Sequence, residues 1–355
     1  MTDVFALTTR GLESTSAGEM AAVPGVTVRQ IAYRRVAAAC AGPLGPLLGL
    51  RTVDDVFLDV ATWHGIGRPR RALATLRALS TRIDLHAASR TCGGLRPLRR
   101  APTFAVTASF VGKRNYSTAE IKHEVAAGVE AGHGWTYCRD DAAADLTLRF
   151  FIEHDVALVG VRLGKTALSK RPYKQAHLPG SLKPPVAAAL VMMVDVAPGL
   201  RLLDPCCGTG TILVEAALGG AAVLGGDSDP SAVAAARANV EAAGVSAEIR
   251  QWDAQALPIA SASIDRIVSN LPWGRQVAVD AALATFYHRV CSEMRRVLAP
   301  GARLTLLTST PHLLDLRDWR CEKEIQISLF GQTPTIIVAS SPQLSAVRQK
   351  LMTDS

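Results

Sequence analysis

The chain has 355 residues, 48% hydrophobic and 20% charged, a composition that excludes disordered and low-complexity classes and a length that needs at least two cores. No apolar run reaches membrane-spanning length before Gly, Pro or Asp breaks it, Met1 to Arg10 does not read as a signal peptide, and the seven scattered cysteines have neither disulfide nor zinc spacing, so a reducing cytoplasm is expected. Net charge is +8, but residues 1–180 hold 24 basic against 15 acidic side chains and residues 181–355 hold 15 against 16, which places the excess in the N-terminal half as either a polyanion grip or a solvated basic face.

In chain order, Val4 to Thr9 reads as a strand, Leu12 to Ala22 as a helix and Val26 to Ala39 as alternating strand sequence, followed by apolar and turn residues toward His64. Nine arginines and the single acid Asp84 between Arg68 and Arg100, with Ala and Leu at helical spacing, predict one basic-faced helix plus a loop. Thr103 to Phe110 alternates as a strand, and Ser117 to Ala131 is a helix whose Ser117-Thr118-Ala119-Glu120 start offers a capping box. Ala144 to Glu153 and Val156 to Leu163 are strands that pair as a hairpin. Residues 168–182, rich in Pro, Gly, Ser and basic side chains, read as a linker.

Beyond the linker the pattern becomes regular. Helix Pro185 to Val196, strand Leu200 to Asp204, helix Thr211 to Leu218, strand Ala221 to Asp227, helix Ser231 to Ala243, strands Ala247 to Trp252 and Ile264 to Ser269, helix Ala281 to Leu298 and strand Arg303 to Thr308 predict a doubly wound, mostly parallel sheet. Glu324 to Phe330 and Thr335 to Ser340 follow with only Gly331, Gln332, Thr333 and Pro334 between them, which requires an antiparallel hairpin.

In such a sheet ligands bind beyond the C-terminal strand ends. Asp204 ends the first strand of the domain, Gly208 and Gly210 let the chain turn close to a ligand ahead of Thr211, Asp227 ends the second strand where a carboxylate suits ribose hydroxyls, and Asp253 ends the third where it suits an adenine amino group. The turn D-P-C-C-G-T-G-T is neither the dinucleotide fingerprint nor a phosphate-cradling loop, and the implied cofactor is S-adenosylmethionine. Cys206 and Cys207 are read as packing residues rather than nucleophiles. Asn270, Leu271, Pro272 and Trp273 end the fourth strand: an amide oxygen and a carbonyl can hold a planar amine, proline fixes the turn and the indole offers a face to a flipped base, so the set predicts methylation of an exocyclic amine. Arg275 suits either a phosphate or solvent. None of the eight histidines has metal-ligand or triad spacing, and no metal is expected.

These motifs resemble the THUMP-containing class I S-adenosylmethionine-dependent RNA methyltransferases, particularly the tRNA guanine-N2-methyltransferases. The resemblance rests on DPCCGTGTILVEA, GGDSDP, WDAQALP and NLPWG in the C-terminal part, on KRNYSTAEIKHEVAAGV, the following hairpin and RPYKQAHLPGSLKPPVAAAL in the middle, and on TTRGLESTSAGEM near the start. It implies an α/β fold: a ferredoxin-like module (1–66), a THUMP RNA-binding domain (67–167), the linker (168–182) and a Rossmann-like class I methyltransferase domain with the terminal hairpin (183–355). It also implies that Asp204, Gly208, Gly210, Thr211, Asp227, Asp253 and Asn270 line the cofactor, that Asn270 to Trp273 hold the target guanine, and that Arg99, Arg100, Lys113, Arg114, Arg171 and Arg275 are candidate RNA contacts.

The family often has Tyr or Phe where this chain has Trp273, and a hydroxyl residue where it has Pro185. The expected substrate is a guanosine of tRNA near position 6, or 10, acted on by a monomer. The alternatives are the same chemistry on 23S ribosomal RNA and a non-catalytic RNA-binding protein.

Overall fold

In the computed structural model, which describes residues 1–99, 102–273, 281–317 and 319–342, the N-terminal alternation builds one seven-stranded sheet. The chain divides into two compact units, residues 1–8 with 13–169 and residues 9–12 with 170–355.

The first unit contains β1 (Thr2–Leu7), α1 (Glu13–Ala21), β2 (Val26–Ala32), β3 (Arg35–Cys40), β4 (Asp55–Trp63), α2 (Arg71–Ser80), α3 (Leu85–Gly93), β5 (Phe104–Phe110), α4 (Thr118–His133), β6 (Leu146–Glu153) and β7 (Val156–Arg162). Strand order is β2-β3-β1-β4-β7-β6-β5. The β5–β6 pair is parallel because α4 crosses between its strands, whereas β6 and β7 form the antiparallel hairpin read from the sequence.

Ser117 caps α4 as expected: its Oγ accepts from the Glu120 amide at 3.2 Å while a Glu120 carboxylate oxygen accepts from the Ser117 amide at 2.8 Å. Inward side chains such as Val4, Val56, Leu148 and Val161 share a core with Leu76, Ile121 and Val125 of the helices, and the other sheet face carries a smaller apolar group around Phe5, Phe57 and Phe151.

Two expectations for this unit need correction. The basic stretch forms two helices, because the Asp84 side chain accepts from the Ala87 amide at 2.9 Å and starts α3 afresh. The residues leading to His64 contain β4, a central strand between β1 and β7. Its early residues are buried on both faces and its register shifts between Asp59 and Ala61, so it lacks the clean alternation that marks a strand.

The second unit contains α5 (Pro184–Met192), β8 (Arg201–Asp204), α6 (Thr211–Leu218), β9 (Ala222–Asp227), α7 (Pro230–Ala242), β10 (Glu248–Gln251), β11 (Ile264–Asn270), α8 (Ala281–Val297), β12 (Leu298–Thr308), β13 (Arg320–Gln326) and β14 (Thr335–Ser340). Its strands are ordered β10-β9-β8-β11-β12-β14-β13. The first five are parallel, and β14 runs antiparallel to both β12 and β13.

Adjacent residues of β8 and β11 serve opposite cores: Leu202 and Val268 pack with α5, α6 and α7, while Leu203 and Ile267 pack with α8. Two-sided burial explains why these strands read as short apolar runs. Leu12 is fully buried in this unit, and the Arg10 carbonyl accepts from the Ser328 amide at 3.0 Å.

The expected strand Glu324 to Phe330 is displaced to Arg320–Gln326. Leu329 and Gln332 exchange backbone bonds of 3.0 and 2.9 Å, closing a tight turn that puts Phe330 at φ 52° and half exposed, out of strand geometry.

Candidate active site

The strand ends of β8, β9 and β11 open onto one cavity of about 1150 Å³, at or above the upper end of small-molecule sites. After Asp204 the chain folds back through Gly208 at φ 50° and Gly210 at φ 73°, conformations that a side chain resists. The Cys207 amide donates to the Gly226 carbonyl at 2.9 Å and the Gly210 amide to the Cys207 carbonyl at 2.8 Å, which fixes the turn at the start of α6. A β-carbon on Gly208 would meet nothing within 4 Å, so the turn exposes open backbone.

The aspartates at these strand ends have distinct surroundings. Asp204 is 1% exposed; its Oδ1 accepts from the Ser269 hydroxyl at 2.7 Å and the Cys206 amide at 3.2 Å. Burial lifts its carboxyl to about pKa 7 against those two bonds, and the Asp227 charge adds to the rise. Asp227 accepts from the Gly208 amide at 3.0 Å through one oxygen and from the Asp229 amide at 3.1 Å through the other, so both oxygens are oriented and keep spare lone pairs. Asp253 is exposed and pinned by the Gln255 amide at 2.9 Å.

Burial and the neighbouring carboxylates push the thiols of Cys206 and Cys207 well above the ordinary cysteine range, which suits packing and disfavours a thiolate.

Asn270, which also lines the cavity, closes β11, and the Leu271 amide donates to the Leu307 carbonyl at 3.0 Å. The Tyr287 hydroxyl holds the Pro272 carbonyl at 2.9 Å. The Trp273 indole N–H donates to Asn270 Oδ1 at 3.1 Å. Because indole is donor-only, this bond fixes which end of the amide is oxygen and leaves the second oxygen lone pair for another donor. The Trp273 and Phe330 rings lie 6.4 Å apart at 52° and both line the cavity.

Asp204, Gly208, Thr211, Asp227, Asp253 and Asn270 to Trp273 therefore share one cavity, with Gly210 shaping the turn beneath it. Sequence reasoning missed Phe330, Asp229, Gln255 and residues Leu178 to Leu182, which also line it. The first could have been suspected from Phe-Gly at a hairpin tip; the last were read only as a linker.

The candidate RNA contacts fall in both units. Lys113 is exposed; Arg99 is exposed and pairs with Asp145 at 2.8 Å. Arg114 is committed within the first unit, donating to the carbonyls of Ile66 (2.9 Å), Gly67 (3.1 Å) and His154, and to the Tyr116 hydroxyl. Arg171 is mostly buried and lies 3.4 Å from the buried Glu215. Arg100 and Arg275 lie outside the described residues.

The cavity lining suits the implied cofactor. Four aspartates (Asp204, Asp227, Asp229, Asp253) and no Lys, Arg or His line it among the described residues. A phosphorylated ligand would be repelled, whereas a cation bearing hydroxyls and an amino group would be held. No cluster of three or more metal-binding side chains occurs among the described residues, and no helix there is long and apolar enough to cross a membrane.

Residues 171–332 match the family described as RMKL-like, methyltransferase domain. The tRNA (guanine(6)-N2)-methyltransferase of Thermus thermophilus is 34% identical over 61% of this chain and 65% of its own length. The tRNA (guanine(10)-N2)-dimethyltransferase of Methanothermobacter thermautotrophicus is 31% identical over 56% of this chain and 57% of its own. The chain thus spans less than two thirds of either relative in these matches. The crystal structure of TrmN from Thermus thermophilus has a TM-score of 0.77 at 27% identity, covering 96% of this chain and 100% of that one.

Proposed function

Starting from a chain whose residues 171–332 belong to the RMKL-like methyltransferase-domain family, we propose that it transfers the methyl group of S-adenosylmethionine to the exocyclic N2 of a guanosine in tRNA. The observation that carries this reading is a single cavity lined, among the described residues, by four aspartates and no cationic side chain and also by the Asn–Leu–Pro–Trp turn.

S-adenosylmethionine supplies an electrophilic methyl on a positively charged sulfur. Asp227 would hold the ribose hydroxyls, Asp253 the adenine amino group, and Asp204 with the glycine turn the remainder. The guanine N2 lone pair is delocalised into the ring and is a poor nucleophile. Accepting its two hydrogens at Asn270 Oδ1 and the Leu271 carbonyl would direct the lone pair out of conjugation, so the rate gain comes from orientation and fixed dipoles rather than from a strong base. Trp273 would stack on the base, worth about 1–3 kcal/mol.

The basic excess of residues 1–180 supports a polyanionic substrate held by the ferredoxin-like and THUMP modules, and the larger match to the relative named for guanine 6 favours that position over 10.

The test is transfer of labelled methyl to unmodified tRNA and ribosomal RNA side by side, followed by nucleoside analysis. N2-methylguanosine in tRNA is expected. Label confined to ribosomal RNA would move the substrate, and no label despite cofactor and RNA binding would refute the catalytic reading.

A further inference from the structure

The segment between Arg171 and Leu182 has the composition of a spacer, yet it is tied down at every few residues. Tyr173 is buried and its hydroxyl donates to the fully buried Glu215 at 2.7 Å. Lys174 Nζ donates to the Leu182 carbonyl and to the Thr211 hydroxyl, the latter at 3.0 Å, so it closes the segment into a loop and fastens it to the first turn of α6. The Ser181 and Thr209 hydroxyls are 3.1 Å apart, and the Ser181 hydroxyl accepts from the Leu178 amide at 3.0 Å. Between these fastenings, Leu178 to Leu182 form one wall of the cavity.

The central fastening is Asn239 on α7, fully buried and absent from the cavity lining. Its Oδ1 accepts from the amides of Gln175 at 3.0 Å and Ala176 at 2.9 Å. Its Nδ2 donates to the carbonyls of Ala176 at 3.1 Å and Thr209 at 2.9 Å. All four hydrogen-bonding positions of one amide are thus spent on backbone, three on the strap and one on the glycine turn. No other side-chain type offers two acceptor and two donor positions at that reach except the longer Gln.

We propose that Asn239 is a positioning residue for the cofactor: by fixing the strap to the glycine turn it sets the shape of the cavity wall that the two form together. This rests on the cofactor reading above and adds to it a group remote from the ligand. Loss of the amide frees residues 175–182 to move as a loop, so the cofactor must itself order the wall, and its affinity falls by the cost of that ordering. Once the wall is ordered, the reacting groups at Asn270 to Trp273 are unchanged.

The experiment uses the full-length chain carrying Asn239→Asp or Asn239→Ala, with Ser181→Ala as a milder variant that keeps the buried amide. Asn239→Asp preserves both acceptors but sets a carboxylate against the Ala176 and Thr209 carbonyls. Binding of S-adenosylhomocysteine is measured by calorimetry, a readout that needs no turnover, beside KM for S-adenosylmethionine, KM for tRNA and kcat.

Weakening of cofactor affinity by about tenfold or more in both Asn239 variants, the equivalent of one lost hydrogen bond to a buried group, with kcat at saturating cofactor and KM for tRNA held within about threefold, is the expected result. Ser181→Ala is expected to move affinity in the same direction by less. Unchanged affinity in folded variants, or a lower melting temperature and kcat without a change in affinity, overturns the positioning role. Failure of the unmodified chain to bind S-adenosylhomocysteine at all overturns the cofactor reading instead.

Discussion

If the cavity takes a sulfonium beside Asp204, cofactor affinity must depend on pH through that carboxyl. Burial holds its pKa at about 7, against an ordinary 3.8, so near neutrality the empty site is partly protonated. A cationic ligand favours the carboxylate, and its binding releases the proton. Affinity therefore rises with pH up to about 7.5 and then levels. With a midpoint of 7 and a fully ionised bound state, the ceiling is roughly 25-fold between pH 5.5 and 7.5.

S-adenosylmethionine and S-adenosylhomocysteine share the amino acid and nucleoside but differ in the sulfur's charge, so the ratio of their affinities cancels the titration of the common groups. Calorimetry of both ligands at half-unit steps from pH 5.5 to 8 is expected to show that ratio climbing in favour of the cation. Ser269→Ala removes the 2.7 Å bond that stabilises the carboxylate and should move the midpoint upward. The unliganded chain has the opposite slope. The folded state keeps a proton that the unfolded state releases above about pH 4, so this group's contribution to stability falls as pH rises toward 7. A ratio flat within twofold across the range would refute the placement of the sulfonium against Asp204.

Further outcomes follow from the same geometry. Asn270→Ala is expected to abolish methyl transfer while RNA affinity measured by filter binding stays nearly unchanged; retained activity would remove Asn270 from the reaction. Trp273→Phe keeps a stacking ring but loses the 3.1 Å bond to Asn270 Oδ1, so kcat should fall about tenfold with KM for RNA within about threefold, and an unchanged kcat would show that the amide needs no such tether. Gly226→Ala places a β-carbon 2.4 Å from the Arg250 carbonyl oxygen and 2.5 Å from the Trp252 ring. It should cost about 2 kcal/mol, seen as a melting point roughly 4–8 °C lower, and no shift would mean that β10 can yield. Reversing Arg99 and Arg100 to Glu is expected to weaken RNA binding and flatten its salt dependence, and no change in either quantity would place the RNA on another surface.

The order of elements and the residues that end the strands were legible in the sequence because they depend on local chemistry. Alternation marked β5, apolar strand-like runs marked β6 and β14, the Ser117–Glu120 pair marked the start of α4, and aspartates followed by glycine or proline turns marked the ends of β8 and β9. The connection before Thr335, residues 327–334 in the structure against the four read from the sequence, is still too short for anything but an antiparallel hairpin. Nearest neighbours in the chain decide all of these through steric limits, capping and turn preference.

What the sequence left open depends on residues that meet only on folding. Strand β4 went unread because burial on both faces erased its alternation, and the position of β14 between β12 and β13 is a matter of sheet order that no local pattern encodes. Arg114 and Arg171 read as free cations until backbone carbonyls and a buried Glu215 met them. The strap read as a linker because proline, glycine and serine are what both a spacer and a tightly bonded loop require. The difference lies in Asn239, more than sixty residues away, whose amide finds its partners only when α7 packs beside the glycine turn. Strand-end chemistry could be read one residue at a time, whereas the walls that give it a shape are held by long-range hydrogen bonds whose free energy is realised only when packing excludes water from both partners.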